Sequence, residues 1–135
     1  MKNLWIALLF LLTVSACLPD KIGKKDDPEP DLSGTYQVTE VQVTEISNGN
    51  RTQFVPPTIS GTINVTKVDN SNVNVSINVT GALTLRESGP IVVQKASGKT
   101  YDMYENNTRI GTIDGTEFRF DVSTTDGRVV IVARK

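Results

Sequence analysis

The sequence predicts an all-β fold, an antiparallel up-and-down meander of about eight strands that closes into a small barrel. Three observations predict it. Residues 72–80 alternate strictly between polar and apolar side chains, which places every apolar side chain on one face of a strand. Turn-forming residues recur at intervals of roughly 8–12 residues, and the segments between them lack helical periodicity. A β-sandwich is the alternative, because strand spacing is the same in both architectures.

Residues 1–16 predict a signal peptide, with a positive charge at Lys2 and an apolar segment at residues 4–12. That segment is shorter than the roughly 20 residues that a membrane-spanning helix needs. The motif that follows, Val14-Ser15-Ala16-Cys17, resembles the lipobox of bacterial lipoproteins. The resemblance implies cleavage before Cys17 and attachment of acyl chains such as palmitate to it. A secretory signal with an incidental cysteine is the alternative, but the chain has no second cysteine to pair with Cys17.

Residues 17–32 predict a lipidated cysteine followed by a flexible linker, because prolines and charged residues dominate this segment and apolar periodicity is absent. Within it, Lys24-Lys25-Asp26-Asp27 resembles the lysine-then-acidic signal of surface-exposed lipoproteins of Bacteroidetes. We therefore expect an outer-membrane location, with the domain at residues 33–135 on either the cell-surface or the periplasmic face.

The first half of this domain predicts five strands. Residues 35–46 form the first, and the apolar parity changes between Val38 and Val41, which indicates a bulge near Thr39 and Glu40. Residues 58–68 and 72–80 predict a hairpin with a turn at residues 69–71. Two short strands are predicted at residues 81–86 and 91–94, with a turn at residues 88–90 between them.

The C-terminal third predicts a series of hairpins, with strands at residues 100–104, 109–113, 116–122 and 129–133. Asp114-Gly115 and Asp126-Gly127 predict type I′ turns, in which both central residues have positive φ. Aromatic residues are too few for the two interfacial girdles of an outer-membrane barrel. The valine faces are therefore expected to point into the domain, and the Asn, Ser and Thr faces to meet water.

The composition argues against several classes of function. The chain has no histidine, and its single cysteine is Cys17, so the commonest general base, the commonest thiol nucleophile and the best zinc ligands are missing from the domain. We expect no enzyme, no cofactor and no metal site. A formal net charge of −1 does not predict nucleic-acid binding. Glu87 and Glu105 are a conceivable carboxylate pair that the sequence cannot place.

The start of the domain, Ser33-Gly34-Thr35-Tyr36, contains a Gly-x-aromatic step that resembles the Gly-x-Trp start of lipocalins and calycins. Arg134, late in the last strand, is similar to the basic residue found there in that family. Residues 33–135 as a whole resemble the small lipocalin-like domains of Bacteroidetes lipoproteins. Tyr36 replaces the usual Trp, and the domain is shorter than a typical lipocalin. The resemblance implies a barrel that either holds one small ligand or fills itself with side chains.

Six residues form the candidate ligand or core cluster of the domain: Tyr36, Tyr101, Met103, Tyr104, Phe118 and Phe120. The leading hypothesis is a non-enzymatic lipoprotein, anchored to the outer membrane, that binds a small apolar ligand or a glycan at the cell envelope. The alternative is a structural or interaction module that is an accessory of an envelope protein complex. A cavity lined by the Val73 face and Phe118/Phe120 favours the first hypothesis, and a filled core favours the second.

Overall fold

The structure, a computed structural model, describes residues 28–47, 50–55, 58–81 and 84–135. The predicted signal peptide, the lipobox motif and residues 17–27 of the linker lie outside the described residues. The described ranges contain nine antiparallel strands and no helix, and so no helix long and apolar enough to cross a membrane. The strands are β1 Gly34–Ser47, β2 Asn50–Phe54, β3 Ile59–Lys67, β4 Asn72–Gly81, β5 Leu85–Ser97, β6 Thr100–Glu105, β7 Thr108–Ile113, β8 Glu117–Ser123 and β9 Gly127–Arg134.

Eight of the nine strands close into a barrel. Strands β3 to β9 follow one another as neighbours in chain order, β1 pairs with β3, and β9 pairs back with β1. The additional strand, β2, forms a hairpin with the C-terminal part of β1. The predicted all-β meander closing into a barrel is confirmed, and the sandwich alternative is not adopted.

A bulge between Val38 and Glu40 divides β1 into two parts. Tyr36 faces the interior before the bulge, and Val41 and Val43 face it afterwards, as the parity change predicted. The first part pairs with β3 and, through Gln37 and Val38, with the end of β9. The second part pairs with β9 on one side and with β2 on the other. One long strand therefore closes the barrel and carries the additional hairpin.

The alternation in β4 gives one buried and one exposed face. The apolar residues Val73, Val75, Ile77 and Val79 belong to the core, and the polar residues between them, Asn74, Ser76 and Asn78, are exposed. The valine face therefore points inward, as the sequence predicts.

The predicted turn at residues 88–90 is wrong, because β5 runs without interruption from Leu85 to Ser97. The orientation of Pro90 explains why this proline does not interrupt the strand. The amide of Val93 donates to the Ser71 carbonyl at 2.8 Å, on the β4 side, and successive amides of a strand point to alternate sides. The nitrogen of Pro90 therefore points toward β6, where pairing begins only at Val92. No ladder hydrogen bond is lost at Pro90, which is the condition under which a strand tolerates proline.

The type I′ prediction is wrong at both Asp-Gly sequences. Gly115 has φ 87°, but Asp114 has no positive φ, and neither Asp126 nor Gly127 has one. The positive pair occurs instead at Asn106 and Asn107, with φ 48° and 63°.

Side-chain hydrogen bonds and close packing explain the backbone at Asp114-Gly115 and Asp126-Gly127. Asp114 Oδ1 accepts hydrogen bonds from the amides of Thr116 at 2.8 Å and Glu117 at 2.7 Å, so the aspartate forms its own turn. Gly127 belongs to β9, where a Cβ atom would lie 2.3 Å from the Thr44 carbonyl oxygen. Glycine is needed there for close approach of two strands rather than for positive φ.

Strand β2 was missing from the sequence-based prediction. Its residues are largely polar and exposed, and so they show no apolar alternation. Ser47 pairs with Asn50, so two residues, Asn48 and Gly49, connect the strands. Asn-Gly between two strands is the strongest short-range hairpin signal in a sequence, and it would have identified β2.

The two ends of the barrel differ. At the closed end, where β1 begins and β9 finishes, the chain before β1 packs across the interior. Leu32 is buried there, and Lys135 Nζ donates to the Asp31 carbonyl at 2.9 Å. The opposite end, called the mouth below, is where β1, β6 and β8 finish.

Candidate functional site

The closed half of the barrel is filled by its own side chains. Tyr36, Val73, Met103 and Ile113 are all 1 % exposed or less. The Tyr36 hydroxyl donates to the Leu32 carbonyl at 2.8 Å, which joins the chain before β1 to the core. Burial raises the pKa of Tyr36 to about 12, and the nearby negative charges of Asp114 and Asp31 contribute.

The half toward the mouth contains a cavity of about 600 Å³. Phe118 forms its floor, since this ring packs on Tyr36 with the centroids 6.1 Å apart and also borders the cavity. Phe120 and Val122 continue the same face of β8 toward the mouth. The apolar lining comprises Val43, Val75, Ile77, Leu85, Ile91, Ile110, Phe118, Phe120, Val122 and Val129.

The mouth of the cavity carries charged side chains. Glu45, Glu87, Glu105 and Asp126 border it, together with one basic residue, Arg128. All five are exposed, and so they lie where the cavity opens to solvent. The cavity is therefore apolar in its depth and charged at its entrance.

Arg128 is held by an ion pair with Asp121. Its Nε and a terminal nitrogen donate to the two carboxylate oxygens of Asp121 at 2.7 and 2.6 Å, a bidentate arrangement. Hydrogen bonding to Arg128 lowers the pKa of Asp121, and the same contact raises the pKa of Arg128. The charge of Arg128 is therefore already paired with a carboxylate.

The structure separates the residues of the candidate cluster. Tyr36, Tyr101 and Met103 are buried in the core, whereas Tyr104 has the outward parity of β6 and is only half-buried. Phe118 and Phe120 are the members that border the cavity. Along the Val73 face, Val73 lies in the filled half, and Val75 and Ile77 border the cavity.

Sequence reasoning missed several residues of the cavity, among them Leu85, Ile110, Val122 and Glu45. The signal for Glu45 was present, because it has the parity of Val41 and Val43 in the first strand. Leu85 was assigned to a separate short strand, which hid its place on the inner face of β5. Glu87 and Glu105, which the sequence could not place, border the same cavity.

Several acidic residues near turns act on the backbone or pair with arginine. Asp69 accepts a hydrogen bond from the Ser71 amide at 2.7 Å, which lowers its pKa. Burial alone would raise the pKa of Asp114, but hydrogen bonds from Glu117 and Thr116 outweigh burial and lower it. Within the described ranges, no group of three or more acidic, His or Cys side chains could hold a metal ion.

Comparison of the chain with protein-family models, with curated proteins and with solved structures gives no match. A functional assignment therefore rests on the barrel and its cavity.

Proposed function

We propose that this chain is a non-enzymatic, lipocalin-like lipoprotein that binds a small apolar ligand in its barrel. The observation that supports this function is the cavity at the mouth. Its volume of about 600 Å³ lies within the range of small-molecule sites, roughly 300–1,000 Å³. A barrel of eight strands has enough room for one such ligand, and here only the closed half is filled.

The chemistry of the walls favours an apolar ligand over a glycan. A glycan needs several hydrogen-bonding groups around it, because its hydroxyls lose their water on binding. The depth of this cavity offers aliphatic side chains and two phenylalanine rings, and the charged groups lie at the rim. Ligand binding would remove apolar surface from water on both partners, which is the main favourable term for such a site.

The location is proposed from the leader and the linker. Lipidation of Cys17 would hold the barrel at the outer membrane, since two or more acyl chains give stable anchoring. The linker would keep the domain clear of the lipid headgroups, on the cell-surface or the periplasmic side. Metabolic labelling with palmitate tests this part: the wild-type chain should incorporate label, and Cys17→Ser should not.

The ligand site is tested with N-phenyl-1-naphthylamine, a neutral probe whose fluorescence rises in apolar surroundings. We expect the wild-type chain to bind it, and Val122→Trp, which places a large ring in the cavity, to lose most of the binding. Val92→Trp is the matched control, because Val92 is an exposed residue on the outer face of β5. A bound probe should also raise the melting temperature of the wild-type chain.

Two results would contradict the proposal. The wild-type chain could fail to bind the probe, or Val122→Trp and Val92→Trp could bind it equally. Either result would favour the alternative function, an interaction module within an envelope protein complex. Circular dichroism of both variants shows whether the barrel is retained.

A further inference from the structure

We infer that the cavity selects a ligand with an apolar body and a cationic head group, such as a long-chain amine. This inference rests on the proposed function and adds the charge of the ligand to it. The apolar cavity is the site, and the charges at the mouth determine which head group is accepted there.

Three of the carboxylates occupy inward-facing strand positions. Glu45 follows Val43 on the inner parity of β1, and Glu105 follows Met103 on the inner parity of β6. Glu87 lies on β5 directly opposite Ile77, a buried inward-facing residue of β4. All three side chains are exposed and border the cavity, so their negative charge lies at its entrance.

The remaining charges do not neutralise them. Asp126 adds a fourth carboxylate from the turn before β9, whereas Arg128 is engaged by Asp121 on the outer face. Arg51 and Arg86, on strands next to the mouth, have outward parity, since they pair with Ile46 and Asn78. Arg109, near the start of β7, also has outward parity, because it pairs with Tyr104, and its Nε lies 2.7 Å from Asp102 Oδ1. The entrance of the cavity is therefore net negative.

This arrangement suits a cationic amphiphile for two reasons. Its apolar chain enters the cavity, while its head group stays at the exposed rim and keeps most of its water, so the large cost of burying a charge is avoided. A cation at the rim is attracted by all four carboxylates, whereas the carboxylate of a fatty acid in the same place is repelled by them. The apolar chain contributes affinity in both cases, and the head group discriminates.

The experiment measures displacement of N-phenyl-1-naphthylamine from the full chain by dodecylammonium, dodecanol and dodecanoate. Each competitor is used at low salt, with dodecylammonium and dodecanoate below their critical micelle concentrations and dodecanol below its solubility limit. Dodecylammonium should displace the probe at about a tenfold lower concentration than dodecanoate, with dodecanol between them. High salt should narrow this difference, because exposed charges are screened.

Variants then test the origin of the preference. Replacing Glu45, Glu87 and Glu105 together by Gln should bring the three competitors close to equal potency, with each potency corrected for the affinity of that variant for the neutral probe. The control is Glu29→Gln with Glu40→Gln, which removes two exposed carboxylates that do not border the cavity. That variant should keep the preference of the wild-type chain.

The outcomes separate the two levels of the proposal. If the wild-type chain does not bind the neutral probe, the proposed function fails, and the inference fails with it. If the probe binds but dodecanoate displaces it as well as dodecylammonium does, only the charge selectivity is overturned. The charge selectivity is also overturned if the triple variant folds and keeps the preference for dodecylammonium. If that variant does not fold, the comparison of competitors on the wild-type chain still tests the selectivity.

Discussion

Replacing Tyr36 by Phe removes one hydroxyl from the closed end and leaves the ring in place. The hydroxyl donates to the Leu32 carbonyl at 2.8 Å, and both residues are buried, with 5 % or less of their surface exposed. The variant therefore loses a hydrogen bond and leaves a buried carbonyl without its partner. We expect a loss of about 1–2 kcal/mol in the free energy of unfolding at pH 7.

The same substitution has a pH dependence of known sign. Tyr36 ionises near its ordinary pKa of 10.0 in the unfolded chain and near about 12 in the folded one. The folded state therefore holds the phenol proton more tightly. The stability that the protonated hydroxyl contributes is fully present below pH 10. It is lost as the pH rises through 12, at about 1.4 kcal/mol per pH unit between the two pKa values.

Urea unfolding of the wild-type chain and Tyr36→Phe at pH 7 and pH 11 measures both effects. The wild-type chain should be more stable by about 1–2 kcal/mol at pH 7, and the difference should fall close to zero near pH 11. Lys135, whose Nζ lies 5.0 Å from the Tyr36 ring centroid, is present in both proteins, and the substitution keeps the ring over which it lies. A difference that stays constant or grows with pH would refute the assignment of the hydroxyl to a buried, desolvated site.

Two further predictions concern the outer face and the backbone. Asp121→Asn breaks the exposed ion pair with Arg128 and should cost less than about 1 kcal/mol in urea unfolding at pH 7. Because the pKa of Asp121 is lowered, the pair stabilises above about pH 4, and the difference between variant and wild type should shrink in acid; a constant difference would contradict this. Gly111→Ala should prevent folding or lower the melting temperature strongly, since a Cβ atom would lie 1.9 Å from the Arg119 carbonyl oxygen at φ 156°. Gly98→Ala, with φ 55° and open space around it, should cost only about 1 kcal/mol; equal melting temperatures for the two glycine variants would contradict the packing argument.

The fold could be predicted because most strands face water on one side. The alternation in residues 72–80 indicated both that this segment is a strand and which of its faces points to the interior. The parity change in β1 located its bulge. The prediction was wrong where a residue type has two uses. Pro90 suggested a turn, but its nitrogen points to an unpaired edge, and Gly127 suggested positive φ, but it serves close packing.

The candidate site was only partly predictable. Phe118 and Phe120 were among the selected aromatics because they share a face of one strand. Tyr101 and Tyr104 were neighbours in the sequence, yet their strand places them on opposite faces. Glu87 and Glu105 border the same cavity only because the strands close into a barrel, which the alternation within one strand does not specify. The half-filled interior depends on side-chain volumes across the barrel, and the sequence of any one strand does not determine it.

The position of Leu32 and Asp31 determines at which end the preceding chain joins the barrel. The chain enters at this end, and the cavity opens at the opposite one. With Cys17 lipidated, as proposed, the linker would join the barrel at its closed end, and the mouth would lie at the end of the barrel farther from that junction. The attachment of the linker would then leave the entrance of the cavity unobstructed for a ligand.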